Sequence, residues 1–83
     1  MRVLYFAWLR ERIGVGSEEV TPPDTVATVA DLVGWLRTRE PRYAAAFEDM
    51  TAIRVALDQE QADFDAPLSG VAEVALFPPV TGG

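Results

Sequence analysis

The chain has 83 residues, 49% of them hydrophobic, with a formal net charge of −6. That is enough apolar material for one small core, and the acidic balance disfavours nucleic acid and anionic lipid. A protein partner with a basic face suits the charge, and so does acidity kept simply for solubility. Cys, His and Lys are absent, all seven cations being Arg. Thiol nucleophiles, thiolate metal sites, the usual general base and amine chemistry are therefore excluded, and an independent enzyme is a poor reading.

The longest apolar run, Val3 to Leu9, is far too short to span a bilayer. One charge precedes it and no small-residue cleavage pattern follows, so a signal peptide is not expected either and cytoplasm is the expected compartment. Within that run, Val3 to Trp8 reads as a central strand with both faces largely covered. Leu9 to Ile13 then reads as a single helical turn or loop, ended by Gly14 and Gly16. Glu18 to Thr21 is short and extended, pairing with the first strand as a hairpin before Pro22-Pro23.

The clearest helix opens at Thr28, an N-cap whose partner in a capping box would be Asp31. Val29, Leu32, Val33 and Leu36 form one stripe at helical spacing, Arg37 and Arg39 suit the last turn, and Pro41 stops the helix near Glu40. Tyr43 to Phe47 reads as a further helical turn before a loop at Glu48 to Thr51. Ile53 to Leu57 alternates as a strand with Ile53, Val55 and Leu57 inward; Asp58 to Gln61 reads as a turn and Ala62 to Asp65 as a short edge segment. After a turn at Pro67 to Gly70, Val71 to Phe77 is the last strand, with Ala72, Val74 and Leu76 on one face and Glu73, Ala75 and Phe77 on the other. This order is that of an α+β, ubiquitin-like β-grasp, a mixed sheet on one main helix with the first and last strands central.

Beyond Phe77 the chain reads Pro78-Pro79-Val80-Thr81-Gly82-Gly83. Two prolines end the sheet and favour an extended exit. Six extended residues reach roughly 20 Å at about 3.3 Å each, and the final glycines can enter a slot too narrow for any side chain. A terminal carboxylate on such an arm can be activated by ATP as an acyl-adenylate and converted by a sulfur donor to a thiocarboxylate. Without Cys, the chain has few other ways to hold reactive sulfur covalently. Residues 1–77 are thus read as the folded domain and 78–83 as a flexible tail. A bare terminal Gly-Gly, by contrast, is also what a frayed end looks like.

Several segments resemble the sulfur-carrier family of molybdopterin synthase small subunits, which is related to ubiquitin in fold. The likeness covers the whole chain and is sharpest in Val3-Leu4-Tyr5-Phe6-Ala7, Leu9 to Gly14, Thr28-Val29, Phe64 to Leu68 and Glu73 to Gly83. The related thiamine sulfur carriers are typically shorter and lack the double proline. The resemblance implies adenylation of Gly83 by an E1-like enzyme using ATP·Mg²⁺, with no cofactor or metal held tightly by this chain. Sulfuration would follow, then delivery to a pyranopterin precursor on the synthase large subunit, which supplies the catalytic side chains within a heterotetramer. It also implies that Gly82 and Gly83 form the reactive end, and that Phe6, Phe77, Pro78, Pro79, Val80 and Thr81 contact partners. Gln61 stands where the family often has Leu, so Leu4 or Trp8 is an alternative contributor to the patch, and Arg10 matches a family position that serves docking or structure.

Other readings stay open on the residues alone. Phe6 and Phe77 would equally complete a small core, and Trp8 and Trp35 suit packing better than ligand stacking. The carboxylates Glu11, Glu18, Glu19, Glu48 and Asp49 read as solvated surface charge, and Gly14 and Gly16 lack the Lys-Ser/Thr of a phosphate loop. A carrier for thiamine or another thio-product, a modifier conjugated to lysines, and a plain β-grasp interaction module are the alternatives to the molybdopterin carrier.

Overall fold

The computed structural model describes residues 1–79. Five strands form one mixed sheet in the order β2-β1-β5-β3-β4: β1 Arg2–Tyr5, β2 Ser17–Glu19, β3 Arg54–Leu57, β4 Glu60–Ala62 and β5 Glu73–Phe77. Three helices, α1 Ala7–Ile13, α2 Val29–Arg37 and α3 Pro41–Ala46, cover one face. The first and last strands are interior and parallel, with Val3 beside Val74 and Tyr5 beside Leu76, while β3 runs antiparallel to β5. This is the β-grasp expected.

The core lies between the sheet and the helices. Val3, Tyr5, Val55, Val74 and Leu76 from the strands meet Leu9, Ile13, Leu32, Leu36, Tyr43 and Phe47 from the helical layer, all buried. Tyr5 stands 6.5 Å from Tyr43 and 6.4 Å from Phe47 between ring centroids, tilted as edge-on aromatic pairs prefer.

Helix α2 starts as its residues dictate. Thr28 Oγ1 accepts from the Asp31 N–H at 3.2 Å, and Asp31 returns the bond to the Thr28 N–H at 3.1 Å. Asp31 also accepts from the Ala27 N–H, and these backbone bonds hold its carboxyl below the ordinary aspartate value. The helix ends earlier than expected, at Arg37. Glu40 is held extended by the following proline, and Thr38 donates its hydroxyl back to the Trp35 carbonyl at 2.7 Å. Pro41 then occupies the first turn of α3, where its missing N–H costs nothing.

Two further boundaries differ from expectation. The run Val3 to Trp8 is not one strand: β1 stops at Tyr5, Ala7 takes a left-handed φ of 54°, and α1 follows for seven residues. Strand and helix are both apolar here because Leu9 and Ile13, four apart, bury one stripe of α1. Gly14, with φ of 96°, closes α1 by donating to the Arg10 carbonyl at 2.8 Å. The second difference is the hairpin between β3 and β4. Leu57 pairs with Glu60, leaving Asp58 and Gln59 as a two-residue loop with φ of 49° and 73°. Both positive values match a type I′ turn, built here without glycine. β4 therefore begins two residues before Ala62. β2 comes one residue earlier than expected and β5 starts at Glu73, leaving Ala72 exposed outside the strand. The segment read as a loop from Glu48 contains a short 3₁₀ turn, Met50–Ala52.

Candidate docking face and root of the tail

Because side chains alternate along a strand, the residues between the core positions face away from the helices. Arg2, Leu4, Ala56, Gln61, Glu73, Ala75 and Phe77 occupy this outer face. The register arranges them in rows across the sheet. One row runs Ser17, Leu4, Ala75, Ala56, Gln61. Toward the end where β5 leaves the sheet, Phe77 sits opposite Arg54. Phe6 continues β1 one step past Tyr5, its N–H donating to the Leu76 carbonyl at 3.2 Å, which brings it beside Phe77. At the other end Arg2 lies between Glu19 and Glu73.

Phe6 is 47% exposed, one of two large apolar side chains standing clear in the described residues, the other being Val15. Phe77 is half-buried, and neither Phe6 nor Phe77 belongs to the core cluster. Phe6 therefore stands outside the core, and Phe77 lies on the sheet face opposite the buried Val74 and Leu76. Pro78 and Pro79 are half-buried and continue from the same strand. Val80, Thr81, Gly82 and Gly83 lie outside the described residues.

The remaining candidates separate cleanly. Gln61 is exposed on the outer face and Leu4 is half-buried there, so both border the aromatic row. Trp8 and Trp35 pack against the core, with the guanidinium groups of Arg12 and Arg39 at 4.7 and 5.2 Å from their ring centroids. Arg10 folds over the loop after α1: a Cβ at Gly16 would come within 3.2 Å of its Nε.

One residue read as solvated surface charge is not. Glu18 accepts from the Tyr5 and Tyr43 hydroxyls, both at 2.7 Å, and from Arg39 at 3.2 Å. Burial alone pushes its carboxyl upward, but the bonds from Tyr43, Tyr5 and Arg39 outweigh this and leave it below the ordinary glutamate value. Burial, and then Glu18 as acceptor, raise both phenols above the usual tyrosine value, Tyr5 well above it. Glu18 thus ties β2 to β1 and α3. No local spacing announces it, since its partners lie 13, 21 and 25 residues away. Arg42 adds a second tie, donating to the Ile13 carbonyl at 2.7 Å and to Glu40 at 2.9 Å.

Among the described residues no group of three or more Asp, Glu, His or Cys is placed to hold a metal ion. A groove of about 300 Å³ runs along α2, lined by Ala30, Val33, Gly34, Arg37, Met50 and Phe64. Its only ionisable lining group is Arg37, so it carries no acid–base chemistry. No helix among the described residues is long and apolar enough to cross a membrane. What the arrangement offers is a recognition surface: an aromatic row, a mixed-charge rim, and a strand that runs directly on toward the C-terminus.

A model of the ThiS family matches residues 3–83. The molybdopterin synthase sulfur carrier subunit of Escherichia coli is 40% identical over 83 residues, covering 100% of this chain and 99% of that protein. The protein of the same name from Haemophilus influenzae is 34% identical with the same coverage. Among solved structures, small archaeal modifier protein 1 of Haloferax volcanii superposes with a TM-score of 0.71 at 30% identity, covering 96% of this chain and 97% of its own.

Proposed function

The chain belongs to the ThiS family, and on that premise we propose that it is the sulfur carrier of molybdenum cofactor biosynthesis, working as the small subunit of a molybdopterin synthase. The observation that carries the reading is the aromatic row of exposed Phe6 and half-buried Phe77, on the outer sheet face where β5 leads toward Gly82-Gly83 in the sequence. A recognition surface at the root of the tail lets one partner grip the folded domain and receive the terminal carboxylate together. Docking on the sheet then positions an end that has no side chain of its own to recognise.

The chemistry is as follows. A Gly83 carboxylate oxygen attacks the α-phosphorus of ATP·Mg²⁺ bound by an E1-like enzyme, and pyrophosphate leaves. A sulfur nucleophile supplied by a donor attacks the acyl carbon and expels AMP, leaving the thiocarboxylate. Docked on the large synthase subunit, the thiocarboxylate sulfur bonds to a carbon of the pyranopterin precursor and displaces an oxygen substituent. Water then attacks the acyl carbon of the resulting thioester, breaking its C–S bond, so that the sulfur stays on the precursor and the carboxylate is restored. This chain contributes position and the carrying atom; the acid–base groups belong to its partners, in keeping with a sequence without His, Lys or Cys. Phe6 and Phe77 anchor the docking, Pro78 and Pro79 stiffen the exit, and Val80 and Thr81 serve as partner-binding residues of the tail.

Intact mass tests the reading. With ATP, the activating enzyme and a sulfur donor, the chain exchanges one terminal oxygen for sulfur, and deletion of Gly83 abolishes molybdopterin formation while leaving the melting temperature unchanged. Molybdopterin formation by the Gly83-deleted chain would refute it. The likeness to a named modifier protein favours a second reading, conjugation of the tail to lysines. Mass-shifted target proteins carrying the Gly83 carbonyl, without thiocarboxylate, would establish that one instead.

A further inference from the structure

Arg54 stands apart from the other charge on the outer face. At the far end of that face, Arg2 is flanked by Glu19 and Glu73 across the strands. Arg54 instead faces Phe77, and Phe6 lies on the opposite side of Phe77, so the end row reads Phe6, Phe77, Arg54. Its Nη1 donates to the carbonyls of Thr51 and Ile53, both at 3.2 Å, which leans the side chain over the 3₁₀ turn at the tail end of the sheet. Among the described residues no carboxylate makes an ion pair with it. The guanidinium is therefore held at one nitrogen by backbone carbonyls, on an exposed strand position in register with Phe77, in a chain whose net charge is −6.

We propose that Arg54 is a partner-selecting residue: the protein that docks on this face presents a carboxylate opposite Arg54, beside an apolar slot for Phe6 and Phe77. This rests on the docking face proposed above and adds the chemistry of its occupant. A guanidinium anchored at one nitrogen loses little further freedom when a carboxylate approaches the others, and Arg matches that planar acceptor in bidentate geometry. The adjacent rings exclude water once the partner is seated, which strengthens the pair. A face of Phe residues alone would accept any apolar slot. An Arg at its edge rejects slots rimmed by cations, which matters for a carrier that must visit an activating enzyme and a synthase and no other apolar surface.

The experiment measures affinity for the synthase large subunit by titration calorimetry, at low and high salt, for the wild-type chain and for Arg54→Glu, Arg54→Leu and Phe77→Asp. Thermal melts verify folding, and Arg54→Leu keeps strand propensity should the reversed charge perturb β3. Arg54→Glu is expected to bind about 10- to 100-fold more weakly, as removal of a close interfacial charge pair does. Arg54→Leu is expected to lose less and to flatten the salt dependence. Wild-type affinity in both Arg54 variants, with binding lost in Phe77→Asp, would overturn the role of Arg54 while sparing the docking face. Wild-type affinity in all three would remove the docking face itself.

Discussion

Replacing Glu18 by Ala should be among the most destabilising single changes in this domain that leaves every buried apolar side chain intact. The substitution strands two phenolic donors, Tyr5 at 1% and Tyr43 at 0% exposure, and leaves Arg39 without its carboxylate. A buried donor left without a partner costs about 1–3 kcal/mol, and an exposed ion pair contributes at most about 1 kcal/mol. The Glu18 side chain is itself 19% exposed, so water reaches the vacated position and restores part of the loss. The sum is a loss of about 2–4 kcal/mol, against a total stability of roughly 4–12 kcal/mol for a domain of this size. In melting temperature that is a fall of about 10–25 °C. Urea denaturation of Glu18→Ala, Tyr5→Phe, Tyr43→Phe and the two double variants provides the measurement. Each Tyr→Phe change should cost about 1–2 kcal/mol in the wild-type background and be neutral to stabilising once Glu18 is gone, since it then removes a stranded donor. Equal costs in the two backgrounds would show that the hydroxyls find water or other acceptors, and the reasoning would fail.

Further outcomes follow from the same structure. The folded-state value of Glu18 lies below its unfolded value, so its stabilisation is present above the ordinary glutamate range and is lost as pH falls through the folded value; Glu18→Gln should flatten the acid limb of stability against pH. Tyr5 and Tyr43 are the only tyrosines in the chain, and both have raised folded values. Stability is therefore full below the unfolded tyrosine value of about 10 and falls as pH rises beyond it. Tyrosinate absorbance should grow only with unfolding; growth while circular dichroism stays native would contradict the buried network. Gly34 lies inside α2, and a methyl group added there would meet nothing within 4 Å, so Gly34→Ala should stabilise by about 0.5–1 kcal/mol in urea titrations. Gly14→Ala should do the opposite by about 1–2 kcal/mol, because φ is 96°, a conformation that strains any L side chain.

What could be read in advance follows the range of the interactions involved. The capping box of α2 is written within four residues, Thr28 to Asp31, and it forms as read. The central placement of β1 and β5 was legible because both are apolar runs at the ends of a grasp-like order of elements. The junction of β1 with α1 was not. Two apolar elements abut there, and the left-handed Ala7 that separates them carries no sequence mark such as glycine. The turn read at Asp58 to Gln61 forms, but its tightening to the two residues Asp58-Gln59 was not legible, since no glycine marks the positive φ values. At the candidate site, Phe6 and Phe77 were identified from a resemblance, but which of them faced outward needed the register of three strands. The Glu18 network was invisible because three elements, β1, β2 and α3, and Arg39 in the turn between α2 and α3 contribute to it.

The position of β5 bears on how the domain withstands force. If, as proposed, a partner takes up the tail, any load on it enters the sheet through Phe77. β5 is bonded along both edges, to parallel β1 and antiparallel β3. Tension along its axis therefore shears two ladders at once, rather than peeling an edge strand one bond at a time. Unfolding from that end must break both ladders together, which makes β5 the strand best placed to bear a load applied through the tail.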